Sequence, residues 1–324
     1  MTSGKMSRPR RKERNSMATT LAKVATGVGS FAGILLASQA LYVFATTPCL
    51  PPPDNSGHRF EEDGLVVTNY GTNDARKNGK NEHRNSGDEI NCFNLVLIGD
   101  SPVEGVGNKT HSEALGGRTA QAFSNMLRKP VRYWSFGKSG LTADGIRVEM
   151  TPLLRKTARK YDIHAIVVSC GVNNVLKGDS AALFGKELDS LIDSITASCP
   201  ITTSIIMLEL IDFAYLPFLP WPLSKLLSWR STSLQKEMKA IVDDREVGRN
   251  HVEIASLPKI SDFLNDSSNI LFDHMKQEEK DALQLSDFYA DDNFHPAGHG
   301  NIIAGKIIAN TYRNMKDQSA LKAR

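Results

Sequence analysis

Ser101, Asp292 and His295 are the residue types that acyl transfer requires. A serine hydroxyl is a weak nucleophile until a base takes its proton. An imidazole, with an ordinary pKa of about 6.5, can act as that base at neutral pH. In Asp292-Asn293-Phe294-His295-Pro296 a carboxylate lies three residues before the histidine, so one turn brings it to the far ring nitrogen. There it fixes the tautomer and stabilises the imidazolium. Attack on an ester carbonyl leaves charge on oxygen, which needs donors aimed at it in advance. The backbone N–H groups of Ser101 and Gly140 and the side-chain amide of Asn173 are candidates for such an oxyanion hole. Each piece alone has a plainer reading. Gly-Asp-Ser is an ordinary turn, Asp-x-x-His before a proline is a common loop or helix cap, and Gly171-Val172-Asn173-Asn174 can be a simple turn.

What joins the pieces is where they fall among the elements. Phe93–Ile98, Val131–Phe136, Ile163–Ser169, Thr203–Leu208 and His251–Ile254 are short apolar runs that read as strands. Helical patterns occupy Glu113–Leu127, Ala143–Lys160, Ala181–Ala197, Leu223–Asp243 and Gly298–Met315. Strands alternating with helices, each strand continuously apolar, predict an α/β fold with a parallel sheet covered on both faces. Active sites in such folds lie beyond the carboxyl ends of the strands. Gly99-Asp100-Ser101, Gly137-Lys138-Ser139-Gly140 and Gly171-Val172-Asn173-Asn174 each follow a strand, and the Asp292–His295 loop precedes the last helix.

Charge and cysteine content narrow the function classes. The 324 residues carry a net charge of +3. Residues 1–16 hold six Lys/Arg against one Glu, a local net of +5, which leaves the remainder at −2. The folded part has no polyanion footprint, so nucleic acid is not an expected partner. Cys49, Cys92, Cys170 and Cys199 form no CxxC pair, and neither a metal nor another cofactor is expected. Cys170 reads as core, and one disulfide is open in an oxidising compartment. His299 lies four residues after His295 without an HExxH pattern and reads as a helix-surface histidine. His111 and His164 read as surface residues. Glu104 reads as an exposed loop carboxylate, with substrate contact as the sharper alternative. Asn108-Lys109-Thr110 and Asn265-Asp266-Ser267 are glycosylation sequons that matter only in a lumenal domain.

Val24–Ala45 is 22 residues without a charge. As a helix it would extend about 33 Å, against a hydrocarbon core of about 30 Å. Basic residues precede it and Pro48, Pro51, Pro52 and Pro53 follow it. The expected organisation is a basic cytoplasmic tail (1–23), a transmembrane helix or signal anchor (24–45), a flexible linker (46–92), a catalytic domain (93–316) and a tail (317–324). The positive-inside rule puts the catalytic domain on the lumenal or extracellular side. A cleaved signal and an organelle-targeting segment are the alternatives. Gly29 and Gly33 form a GxxxG, either a dimer face or ordinary helix composition. After the fourth strand, Phe213–Trp229 is rich in aromatic residues, leucine and proline. It reads either as an acyl-chain groove or membrane-touching flap, with Phe213, Tyr215, Phe218 and Trp221 contacting substrate, or as a loop packed on the core.

The ordered set of blocks resembles the SGNH hydrolase superfamily, the GDSL esterases and lipases, over roughly residues 93 to 314. Ile98-Gly99-Asp100-Ser101 is similar to the nucleophile block, and Ser139-Gly140 to the glycine block. Gly171-Val172-Asn173-Asn174 is similar to the asparagine block, and Asp292–Pro296 to the Asp-x-x-His block. The resemblance is nearest to lysophospholipase-like esterases with an N-terminal membrane segment. It implies a three-layer α/β/α flavodoxin-like fold, metal-free hydrolysis, and the residue roles given above. Two positions depart from the pattern. Pro102 stands where Leu or Ile is frequent, and Asn174 stands where Asp is frequent. A missing carboxylate at 174 implies weaker loop support. The expected activity is hydrolysis of lipid or other acyl esters through an acyl-serine intermediate. The alternatives are a carbohydrate O-deacetylase on the same fold and a catalytically silent, membrane-tethered lipid- or glycan-binding module.

Overall fold

The computed structural model describes residues 31–53, 64–67, 91–216, 218–245, 251–257 and 283–322. Its centre is β2 (Phe93–Gly99), in which every residue is buried. β3 (Val131–Gly137) pairs with it in parallel on one side and β4 (Ala165–Ser169) on the other. β5 (Ser204–Leu208) and β6 (Val252–Ala255) extend the parallel sheet beyond β4. β1 (Leu65–Val67), within the segment expected as linker, pairs antiparallel with β3 at the opposite edge. The strand order is β1-β3-β2-β4-β5-β6. The chain therefore leaves β2 first to one side and then to the other, which opens a crevice at the carboxyl end of β2.

Alternation along the strands fills both faces. Val96, Ile98, Ile166, Val168, Ile205 and Met207 pack on one face against α4 (Ala143–Glu149), α5 (Thr151–Ala158), α7 (Ala181–Thr196) and α8 (Leu223–Arg245). Leu95, Leu97, Val167 and Ile206 pack on the other against α3 (Leu115–Leu127) and α9 (His299–Lys322). Two covered faces explain why the strands read as mostly apolar runs. The three-layer α/β arrangement with a mostly parallel sheet is the one anticipated from the sequence.

Local chemistry sets the helix limits. The Ser180 hydroxyl accepts the Leu183 N–H at 3.1 Å and caps α7. The single helix expected over Ala143–Lys160 is two, because Pro152 lacks an N–H and opens a new first turn. α9 continues to Lys322, past the expected end at Met315.

The N-terminal apolar run is described only in part. The described part of the apolar run is α1 (Phe31–Thr46), 16 residues, about 24 Å long. Among the described residues no helix is long and apolar enough to cross a membrane. Residues 24–30, with Gly29 of the GxxxG, lie outside the described residues, as does the Asn265 sequon. α1 rests on the folded domain. Ala40 is buried in the main core, and Gln39 donates to the Trp221 carbonyl at 2.6 Å and accepts from the Leu223 N–H at 3.3 Å. All four cysteines are free thiols, and Cys170 is in the core.

Candidate active site

Three blocks start from one row of the sheet. Gly99, the last residue of β2, pairs with Gly137 of β3 and with Ser169 of β4. Gly99-Asp100-Ser101, Gly137–Gly140 and Cys170–Asn174 therefore emerge side by side.

Ser101 opens the short helix α2 (Ser101–Glu104). The first N–H groups of a helix have no carbonyl within it, so the Ser101 N–H is at an end where a ligand oxygen can be held. Pro102 follows in the same first turn, where its missing N–H removes no intrahelical bond. The turn thus accommodates Pro102, the first departure from the resemblance. Val106 and Gly105 both donate to the Ser101 carbonyl, at 3.1 and 3.0 Å, and close the turn.

Asp100 is 1% exposed. Its carboxylate accepts from the Ser169 hydroxyl at 2.8 Å and from the Asn173 amide at 3.2 Å. Burial pushes its carboxyl up to about 6, against the opposing pull of the Ser169 bond, the charge of His295 and the Asn173 bond. Sequence reasoning took Asp100 only as part of a turn signature. The structure makes it the link between the strand that leads to Ser101 and the loop that carries Asn173.

Asn173 sits in the first turn of α6 (Val172–Lys177). Besides Asp100, its amide donates to the Leu141 carbonyl at 3.0 Å, which ties it to the glycine loop. Asn174 is fully buried and fully bonded. Its oxygen accepts the Ala143 N–H at 3.1 Å, and its nitrogen donates to Asp179 at 2.8 Å and Glu187 at 2.9 Å. The expectation of weakened support at this position is corrected: an amide between two carboxylates holds the loop where a third carboxylate would be repelled.

The histidine loop is braced from within. Asp292, 3% exposed, accepts the Phe294 and His295 N–H groups on Oδ1, both at 3.0 Å. Its Oδ2 meets His295 Nδ1 at 2.5 Å. Burial works to raise the Asp292 pKa, but the bond and charge of His295 and the two backbone N–H groups hold it below the usual carboxylate range. The Ala290 N–H donates back to the His295 carbonyl at 2.8 Å and closes the loop.

A clip joins this loop to the Ser101 turn. The Asn108 amide donates to the Gly105, Val106 and Pro296 carbonyls at 3.2–3.3 Å. The buried Asn301 amide donates to Asn108 Oδ1 at 2.9 Å and to the Pro296 carbonyl at 3.1 Å. Asn108 is thus engaged inside the fold, although its sequon marked it as a glycosylation acceptor. Gly107 lies at the seam. A Cβ there would fall 2.5 Å from Ala290 Cβ, too close to fit without a shift, and 3.7 Å from His295 Cβ. Pro51 accepts the Gly107 N–H at 3.1 Å, which places part of the expected linker against the site.

The proposed substrate contacts separate. Phe213 is 1% exposed and belongs to the core. Tyr215 and Trp221 are exposed. Phe218 packs edge-on to Phe294, which packs edge-on to His295. Glu104, expected as an exposed loop carboxylate, accepts from Ser139 on α2's neighbouring loop. His164, expected on the surface, is half-buried, stacks on Phe93 and accepts the Asn94 N–H at 2.9 Å. Among the described residues no group of His, Cys, Asp and Glu is arranged to hold a metal.

No curated protein matches the chain in sequence. Among solved structures, it is similar to a lipolytic protein of the G-D-S-L family from Veillonella parvula DSM 2008, with 14% identity and a TM-score of 0.46, over 68% of this chain and 99% of that one. It is also similar to the psychrotrophic esterase EstA from Pseudoalteromonas sp., with 14% identity and a TM-score of 0.45, over 70% and 98%. A carbohydrate esterase family 3 structure from Talaromyces cellulolyticus shows 17% identity and a TM-score of 0.45, over 69% and 99%. The GDSL-like Lipase/Acylhydrolase pattern matches residues 97–301, which contain every one of the four blocks. With well over half of its length matched, the chain belongs to the GDSL-like Lipase/Acylhydrolase family.

Proposed function

We propose that the protein hydrolyses carboxylic esters through an acyl-serine intermediate. The observation that carries this reading is the 2.5 Å contact between His295 Nδ1 and Asp292, in a loop clipped to the nucleophile turn by Asn108 and Asn301. In this account His295 takes the Ser101 proton as the hydroxyl oxygen attacks the carbonyl carbon. Asp292 holds the ring in one tautomer and stabilises the imidazolium. The Ser101 and Gly140 N–H groups and the Asn173 amide receive the oxyanion. Asn173 already donates twice, and its longer bond, to Asp100 at 3.2 Å, is the one exchanged for substrate oxygen. His295 then returns the proton to the leaving alcohol, and water repeats the sequence on the acyl-serine.

Lipid or other long acyl esters are the proposed substrates. Phe218 and Phe294 give an apolar wall beside His295, and the exposed Trp221 lies on the same segment. That segment is bonded to α1, part of the uncharged run of Val24–Ala45. We therefore also propose that the N-terminal segment holds the chain at a membrane, with the catalytic domain lumenal or extracellular. Protease protection of the domain in sealed vesicles tests this, and digestion from the cytoplasmic side contradicts it.

A panel of esters of rising acyl length tests the activity, with acetylated sugars as a separate arm. Preference for longer acyl chains, reduced in Phe218→Ala, supports the lipid reading. Turnover confined to acetylated sugars replaces it with O-deacetylation. A folded protein that cleaves nothing in the panel leaves the binding-module reading.

A further inference from the structure

The geometry points to Glu104 as the residue that positions the oxyanion-hole loop, a role that rests on the ester-hydrolase reading above. Glu104 is the last residue of α2, one turn after Ser101. One oxygen, Oε2, accepts both the Ser139 backbone N–H at 2.7 Å and the Ser139 hydroxyl at 2.6 Å. Ser139 immediately precedes Gly140, whose N–H is the candidate donor and whose φ of +82° marks a turn that few other residues adopt.

The remaining supports show why this one matters. The Lys138 N–H donates to the Gly99 carbonyl at 3.2 Å, and the Leu141 carbonyl accepts from Asn173 at 3.0 Å. Both lie outside the Ser139–Gly140 pair. Gly140 itself is exposed, and a Cβ built on it would meet nothing within 4 Å. Packing on that side therefore does not hold Gly140 in place. At the base of the loop the contact is tight: a Cβ on Gly137 would collide with the Glu104 backbone nitrogen. The helix that presents Ser101 thus presses on the strand that leads into the glycine loop. Glu104 turns that contact into a directed one. A displacement of the nucleophile helix carries the oxyanion donor with it, and the two stay in register through the reaction.

A carboxylate is a demanding choice beside a site where negative charge develops, because like charges repel. Its use here is explained by acceptor strength, since bonds to a charged acceptor are roughly twice as strong as neutral ones. Glutamine keeps the shape and an oxygen able to accept both Ser139 donors. Alanine removes the acceptor.

The test uses the full-length chain and an ester that wild type cleaves. Glu104→Ala should lower kcat by roughly 10- to 100-fold, the scale of a donor misplaced by about 1 Å, with KM changed less than about threefold. Glu104→Gln should stay within about fivefold of wild type, because the donor geometry is kept. An alkyl trifluoromethyl ketone, which forms a tetrahedral adduct on Ser101 and places its oxygen in the hole, should lose affinity in proportion to kcat/KM across the set. A Glu104→Ala enzyme with both kcat and ketone affinity within about threefold of wild type overturns the inference, as does a glutamine variant that falls as far as alanine. If Glu104→Ala does not fold, Ser139→Ala carries the test, since it deletes only the hydroxyl bond. A fall of about three- to tenfold supports the role, and unchanged kcat and ketone affinity overturn it. A wild type that cleaves no ester refutes the underlying hydrolase reading; an active wild type with an unaffected Glu104→Ala refutes only this role.

Discussion

The side-chain nitrogen of Asn174 donates to Glu187 Oε2 at 2.9 Å, in a position with no solvent access. The same nitrogen donates to Asp179, and the Asn174 oxygen accepts the Ala143 N–H. A residue that departs from the family pattern is therefore matched by two acidic partners. Loop support, the feature that a missing carboxylate put in question, is supplied by the amide.

Asn174→Asp should destabilise the protein although the two side chains have the same shape. It would place three carboxylates in bonding reach of one another in a buried site. The expected loss is about 2–4 kcal/mol near neutral pH, the scale of an uncompensated buried charge. The loss should shrink in acid as one carboxyl takes a proton. Adding Glu187→Gln should recover part of it. Urea unfolding of the single and double variants at pH 5 and pH 7.5 measures both effects.

Asp100 gives a prediction of opposite pH sense to the usual carboxylate. Burial raises its folded pKa to about 6, above an unfolded value of about 3.9. Below pH 4 both states hold the proton, and the group costs nothing. As pH rises through about 4 to 6, the unfolded chain releases its proton first, so folding loses stability. Above pH 6 the cost is constant, on the order of 3 kcal/mol. Asp100→Asn can keep both contacts, since the Ser169 hydroxyl can accept as well as donate. Relative to this variant, wild type should therefore lose stability between pH 4 and pH 6 and run parallel to it above. A flat difference across that interval contradicts the assignment.

Asp292→Asn leaves the loop's shape but puts an amide against His295 Nδ1 and favours the wrong tautomer. The expected fall in kcat is about 10³- to 10⁴-fold, with KM little changed. The substitution should also lower stability near neutral pH. Asp292 is held below its usual pKa, so its contribution is present above the unfolded value and fades as pH falls toward the folded one. Steady-state kinetics and thermal midpoints at pH 4 and pH 7 separate the two effects.

The five parallel strands and the site blocks at their ends were legible because each rests on a local pattern, whereas β1 reads as linker. β2 lies buried on both faces, so its seven residues are apolar but for Asn94 and Gly99. The break at Pro152 is missed: Ala143–Lys160 reads as one helix when only apolar spacing is weighed, and the proline opens a second one. The connections between blocks were not legible. Glu104 and Ser139 are 35 residues apart, and Asn108 and Asn301 are 193 apart. Such pairs join single polar residues in turns, where no period marks them. Phe213 shows the reverse limit. An aromatic residue in a proline-rich loop looks available to ligand, yet the turn drives its ring into the core. Leu50 and Pro51 likewise sit in a proline-rich stretch that reads as spacer, and only the fold shows them against Gly107.

The central claim is that the Ser101 hydroxyl becomes an activated nucleophile through His295. The most direct measurement is labelling of the folded protein with a serine-reactive fluorophosphonate, followed by identification of the modified residue. The account predicts one adduct on Ser101, absent in Ser101→Ala and strongly slowed in His295→Ala. A folded wild type that takes no label, or a label that persists in Ser101→Ala, would contradict it.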